Sequence, residues 1–248
     1  MFHTTRALVL REVRYKEADR ILTLLTDTDG KITAKARGAL RKSSRTAAAT
    51  QQLTYAEMTL FGNRGKWTIN EASLIEPFSG LRTDMERFAL GSYFSECLEV
   101  FSVEDQADPA LLQLGLNCLY ALCRENASPE KIKAAFEFRL MCIAGYEPEL
   151  HGCCVCGKEA PESPLLCLEN GVICCGTCRE SSMGAGAELD RDALSALRFV
   201  ASSPPKQILS FRLEGRSLSR LSAAAERYLL CHAERGFSTL DYWKKIKA

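Results

Sequence analysis

The chain has 248 residues, 46% of them hydrophobic and 25% charged, with a formal net charge of +1. That describes a globular chain with length for one large or two to three small domains. It excludes a strong overall field for polyanions, and no apolar run approaches the roughly 18–20 residues of a membrane span. The charge is unevenly placed: residues 1–78 carry 13 Lys/Arg against 8 Asp/Glu, the remainder 19 against 23.

Residues 1–78 predict five short strands: 6–11, 20–25, 31–36, 53–61 and 66–72. Several alternate apolar and polar residues, and turn signals stand at Asp29-Gly30 and Gly62-Asn-Arg-Gly65. Five strands in under 80 residues point to a small closed barrel, with an OB-fold as the leading candidate. Within it, Gly30 to Arg45 holds Lys31, Lys35, Arg37, Arg41, Lys42 and Arg45, and no acidic residue occurs from Gly30 to Ala56. We read this segment as a flexible basic loop that neutralises phosphates, with Ser43 and Ser44 adding hydrogen bonds. A solvated loop that happens to be basic is the alternative. Tyr55, Phe61 and Trp67 are aromatic candidates for base stacking, although core roles suit them as well.

From Leu81 the periodicity is helical. Thr83-Asp-Met-Glu86 reads as a capping box for a helix running toward Phe101. Asp108-Pro109 and Ser128-Pro129 open two more, each with a polar N-cap and proline at N1. Gly145 ends the third. A Gly/Ala-rich link at 184–187 precedes a helix capped by Asp190 and reaching about Ser202. A last helix is expected from Ser217 to about Arg235.

Between these helices lie two C-x-x-C pairs, Cys153/Cys156 and Cys175/Cys178, with Gly157 to Cys174 between them. Each pair makes a tight knuckle, and the spacing suits a tetrahedral four-cysteine site for one structural Zn2+. Such a shell leaves no position for water, so the metal points to structure or recognition. Cys154 and Cys174 stand next to ligands and could compete for the metal, His151 is an alternative ligand two residues before Cys153, and Cys167 lies in the loop between the pairs. Twelve cysteines without a recognisable signal peptide suggest a reducing cytoplasm. Cys97, Cys118, Cys123, Cys142 and Cys231 fall in helical patterns and read as core.

Catalytic signals are weak. The three histidines, His3, His151 and His232, lack the neighbours of a recognisable catalytic motif, and there is no phosphate loop or nucleophile elbow. The chain is expected not to be an enzyme. The expected organisation is α+β: an N-terminal five-stranded OB-fold barrel at 1–78, a helical domain in two parts at 79–150 and 181–248, and an inserted four-cysteine zinc module at 151–180.

The combination resembles the bacterial RecO family of DNA repair proteins. The resemblance lies in Ala7-Leu-Val-Leu-Arg11, Glu17-Ala-Asp-Arg-Ile-Leu22, Gly30-Lys31, Ala36-Arg-Gly-Ala-Leu-Arg-Lys-Ser43 and the two cysteine pairs. The chain departs in having Asn170-Gly171 where a double glycine commonly precedes the second pair. Matching on that glycine would put Cys174 at the third ligand position, whereas the x-x spacing to Cys178 favours Cys175. Resemblance implies a recombination mediator that binds single- and double-stranded DNA and anneals complementary strands. With RecR it would help load RecA onto DNA coated by single-strand-binding protein, with RecF reached only indirectly. It also implies a site in the helical domain for the acidic C-terminal tail of single-strand-binding protein. Lys131, Lys133 and Arg139 are the candidates, although their helix placement fits a solvated face equally. The rival reading is a zinc-ribbon protein that binds RNA or a transcriptional or ribosomal partner.

Overall fold

A computed structural model describes residues 1–63, 65–124, 128–179 and 184–247. Arg64, in the expected turn, and residue 180, the expected end of the zinc module, lie outside the described residues. The chain divides into two compact units, residues 1–125 with 237–248, and residues 126–236.

The first unit is built on a closed barrel. Strands β1 (Phe2–Tyr15), β2 (Asp19–Thr26), β3 (Gly30–Ala36), β4 (Tyr55–Asn63) and β5 (Lys66–Glu76) close in the order β1-β2-β3-β5-β4, an OB-fold arrangement. β3 and β5 pair in parallel and the other neighbours are antiparallel. Alternation does the sorting: Ile32, Ala34 and Ala36 point inward, and Lys31, Thr33 and Lys35 point outward. Val9, Leu22, Leu24, Ile32, Met58 and Leu60 form the core. β1 is longer than its apolar run suggested because it serves two neighbours in succession. Phe2 to Leu8 pairs with β4 and Ala7 to Tyr15 with β2, with a register shift between Val9 and Arg11. Gly30 turns the chain at φ +66°, where a Cβ would lie 2.0 Å from the Gln106 carbonyl oxygen.

Helices α1 (Ser79–Arg82), α2 (Met85–Phe101) and α3 (Pro109–Leu122) follow. The cap of α2 differs from the expected capping box. Asp84, not Thr83, accepts the Arg87 amide, at 3.1 Å, while the Thr83 hydroxyl donates to the Gly80 carbonyl. A carboxylate one residue later is the stronger acceptor and also faces the positive helix end. Asp108 caps α3 with Pro109 in its first turn, as the sequence indicated.

The second unit begins with α4 (Pro129–Ile143), capped by Ser128. A four-stranded sheet follows, made of β6 (Glu149–Cys153), β7 (Pro164–Cys167), β8 (Val172–Cys175) and β9 (Gly186–Glu188) in the order β6-β8-β7-β9. β9 occupies the segment read as a Gly/Ala link. It pairs with β7 through backbone groups that need no particular side chain. Helices α5 (Arg191–Ser202) and α6 (Gly215–Ala233) complete the unit. Gly171 has φ +61°, and a Cβ there would lie 2.6 Å from the Tyr228 hydroxyl, which itself donates to the Tyr146 carbonyl at 2.9 Å.

The chain then returns to the first unit as α7 (Ser238–Lys247), a helix not anticipated from the sequence. Phe237 meets Tyr93 of α2 edge-on at 5.7 Å, and Thr239 donates its amide to Glu96 at 3.2 Å. Leu240 and Trp243 are buried.

Candidate nucleic-acid surface and metal centre

The basic segment is anchored, in contrast to the flexible loop expected. Ala39 and Ala49 are buried in the barrel core. The Leu40 amide donates to the Ala18 carbonyl at 2.9 Å and the Gly38 amide to Asp19 Oδ1 at 2.8 Å. From below, Arg20 holds the Ala47 carbonyl and the Thr50 hydroxyl, each at 3.0 Å. With small apolar residues turned in and its backbone tied to β2, the segment presents its long cations outward.

The six predicted cations fall into two groups. Lys31 donates to the Glu99 carbonyl at 2.9 Å, near the end of α2, and Lys35 is ion-paired to Asp19 at 2.8 Å. The Lys35 ammonium and the Gly38 amide hold the Asp19 carboxyl below the usual carboxylate range. Arg37, Arg41, Lys42 and Arg45 are exposed, and their side chains make no ion pair or hydrogen bond among the described residues. Four cations free of internal partners can neutralise backbone phosphates without first losing a protein contact.

Of the aromatic candidates, Phe61 is exposed and lies 5.2 Å from Phe2, while Tyr55 and Trp67 are half-buried. Trp67 covers Gly62, where a Cβ would approach its ring to 2.8 Å. Burial raises the Tyr55 hydroxyl's pKa.

In the second unit the two C-x-x-C pairs converge. The sulfurs of Cys153, Cys156, Cys175 and Cys178 all lie within 4.8 Å of one another. Cys156 and Cys175 are 3.6 Å apart. A tetrahedral zinc shell of four thiolates with bonds of about 2.3 Å requires sulfur separations of about 3.8 Å, so these four residues fit a metal ion. Parallel pairing of β6 with β8 brings Cys153 opposite Ile173, and β8 delivers Cys175. Amides converge on the Cys153 sulfur, the Cys175 N–H at 3.2 Å. Burial works against the Cys153 thiolate, yet the Cys156, Cys175 and Val155 amides hold its pKa down to about 5. Desolvation, and then the neighbouring Cys153 and Cys156 sulfurs, push Cys175 up to about 12. A divalent cation removes that mutual repulsion. Cys174 lies outside the converging set; its thiol is fully buried and donates to the Cys175 carbonyl at 3.3 Å. His151 is exposed and also stands outside it.

Comparison with known proteins decides the family. A family model described as "Recombination protein O N terminal" matches residues 1–78, and one described as "Recombination protein O C terminal" matches residues 82–241. The chain belongs to the RecO family. A relative from Acetivibrio thermocellus named DNA repair protein RecO is 33% identical over 242 residues, covering 98% of this chain and 96% of the relative. One of the same name from Symbiobacterium thermophilum is 29% identical over 248 residues, covering 97% and 96%. Another from Listeria monocytogenes is 32% identical over 167 residues, covering 67% and 65%.

The cations named for a RecO partner site do not share one environment. Lys133 is buried between Glu137 and Glu226, at 2.9 and 2.8 Å. Its charge is neutralised internally, and burial removes it from any tail-binding surface, contrary to the expectation. Arg139 donates to the Val200 and Ala201 carbonyls. Lys131 donates to the Phe211 carbonyl, with its ammonium 4.6 Å from the Phe211 ring centroid. Phe211 lines a groove of about 570 Å³ with Phe199, Arg212 and Leu213.

Two residues escaped sequence reasoning. Arg198 of α5 donates to the carbonyls of Leu150, His151 and Glu159, each at 2.8 Å, and so clamps the first cysteine knuckle. Nothing local to an arginine on an amphipathic helix signals that role. Tyr15 lies at the end of β1, exposed, with Lys35 and Lys16 ammonium groups 4.9 and 5.6 Å from its ring centroid. The Arg14-Tyr-Lys16 run was the available signal, an aromatic interleaved with cations.

Proposed function

We propose that the chain is a DNA-binding recombination mediator that serves DNA repair without covalent chemistry of its own. The barrel loop contacts the backbones of single- and double-stranded DNA and anneals complementary strands. With RecR, the protein helps load RecA on DNA coated by single-strand-binding protein, and it acts in the cytoplasm. The observation that carries this reading is the set of exposed cations Arg37, Arg41, Lys42 and Arg45, without ion pairs or hydrogen bonds among the described residues, on an anchored loop. Two strands repel through their phosphates. A fixed basic surface lowers that repulsion and leaves base edges free to pair.

Annealing of complementary strands coated by single-strand-binding protein tests the reading. Replacing Arg37, Arg41 and Lys42 by Glu is expected to abolish annealing. It should also flatten the salt dependence of DNA binding by roughly 0.7–0.9 in log–log slope per lost contact. Unchanged affinity and slope exclude the loop as the principal site.

Zn2+ is the metal we assign to Cys153, Cys156, Cys175 and Cys178, in a structural role. Four thiolates complete its shell and leave no position to activate water. For the acidic tail of single-strand-binding protein, the groove beside Phe199 and Phe211 supplies apolar walls, and Arg212 and Lys131 supply positive charge. Asp192 and Glu214 also line it and oppose an acidic tail, so its carboxylates have to pair with Arg212 or Lys131. Calorimetry with the tail peptide is expected to give binding that Arg212→Glu removes. Equal binding by that variant places the tail elsewhere.

A further inference from the structure

We infer that Tyr15 is a base-stacking residue that makes the barrel surface favour single-stranded over duplex DNA; this rests on the basic loop being the DNA contact.

The placement follows from strand register. Tyr15 of β1 pairs with Asp19 of β2, and Ile21 of β2 pairs with Lys35 of β3. Side chains two apart share a face, so Tyr15, Asp19 and Lys35 lie together on the outside of the sheet. Asp19 fixes Lys35 at 2.8 Å and also receives the Gly38 amide, the first turn of the basic loop. Leu40 is tied to Ala18 in the same turn. The β1–β2 turn and the basic loop therefore form one continuous surface, with the ring beside Lys16 and Lys35. In an OB-fold the β2–β3 face and the β1–β2 loop are well placed to receive an oligonucleotide.

The ring is built for contact and contributes nothing to the core. Tyr15 is 43% exposed, and its hydroxyl has no hydrogen-bond partner among the described residues. Lys35, held by Asp19 at 2.8 Å, keeps its ammonium 4.9 Å from the ring centroid. Lys16 makes no ion pair or hydrogen bond among the described residues, so its stem can swing away when a base arrives. Lys16 also adopts φ +54°, a left-handed conformation that glycine would hold with less strain. A strained lysine at an exposed turn fits a role for its charge and none for the fold. Glu17 is the one exposed acid in the turn without an ion pair among the described residues.

The specificity follows from geometry. A surface ring reaches the face of a base only where the base is unpaired and unstacked. Phosphates are present on both forms, so the loop cations bind either. Stacking adds affinity to the single strand alone and is tolerant of sequence, because every base has a π-face.

The test uses the full chain with a labelled single strand and a duplex of equal length. Tyr15→Ala is expected to weaken single-strand binding about 5- to 150-fold. It should leave duplex affinity within about twofold and the salt slope unchanged, since no phosphate contact is lost. Tyr15→Phe should restore the single-strand affinity, and Tyr15→Trp should add an indole whose emission falls on binding single strand and not duplex. Lys16→Gly should keep the melting temperature while lowering the single-strand salt slope by roughly 0.7. If Tyr15→Ala binds single strand within twofold of the parent, or loses duplex binding equally, stacking is overturned while the loop reading stands. If reversing Arg37, Arg41 and Lys42 leaves DNA binding intact, the loop reading falls, and quenching in Tyr15→Trp still reports whether a base meets this ring.

Discussion

Lys133 shows how far a residue's environment can depart from its local sequence. In Pro129–Ile143 it looks like one more cation on a mixed helix face. In the folded unit it is 1% exposed and holds Glu137 one turn along and Glu226 of α6. Burial alone would lower its pKa, but the two carboxylates outweigh burial and raise it. Replacing Lys133 by Met removes the ammonium that Glu137, which is fully buried, holds at 2.9 Å. The expected cost is about 3–5 kcal/mol at pH 7 in urea unfolding. Because the folded pKa is raised, the lysine's contribution is complete below its unfolded value of about 10.4 and fades as pH rises through the folded value. The urea midpoint of the parent should therefore show an alkaline decline that Lys133→Met lacks; a decline common to both proteins would count against it. Sequence could not reveal this arrangement, since the deciding partner, Glu226, is remote along the chain. Asp84 as the cap of α2 was closer to legible, because it adjoins the threonine that was read instead.

At the scale of elements, the cysteine module was the most legible part. Two C-x-x-C pairs admit few geometries, and strands β6 and β8 bring them together as spacing required. The basic loop was legible in its charge and not in its anchoring. That depends on Ala39 and Ala49 reaching the barrel core and on Arg20 crossing beneath, which are tertiary contacts of weakly informative residues. Strand β9 was hidden because a Gly-Ala-Glu run carries no strand propensity. The module has too few residues to hold itself with an apolar core, so the metal proposed for its four cysteines would supply folding energy. Cys175→Ser is expected to lower zinc from one per chain to well under one, and to promote proteolytic cleavage between residues 151 and 179. DNA binding by the barrel should persist. Full metal content in the variant would indicate that Cys174 or another donor completes the shell.

For the molecule as a whole, the barrel's alternating strands and most helix starts were readable, whereas the path of the chain was not. The final twelve residues belong with the first unit. Phe237, Leu240 and Trp243 are buried there, and burying a large apolar side chain stabilises by about 1.5–3 kcal/mol. Deleting residues 237–248 should therefore destabilise the amino-terminal unit by several kcal/mol. In hydrogen exchange, protection should fall in α2 around Tyr93 and Glu96. Loss confined to α5 and α6 would contradict the assignment.

The return of α7 also sets an order of events during synthesis. The residues that face Phe237 leave the ribosome with α2, but Phe237 itself is made only after the entire second unit. At about 5–20 residues per second, that interval lasts on the order of 10–30 s. Throughout it, the Tyr93 side of α2 is complete in sequence and uncovered in structure. The first unit to emerge is thus the last to be finished, and a nascent chain stalled before residue 237 displays an apolar helix face that the finished protein conceals.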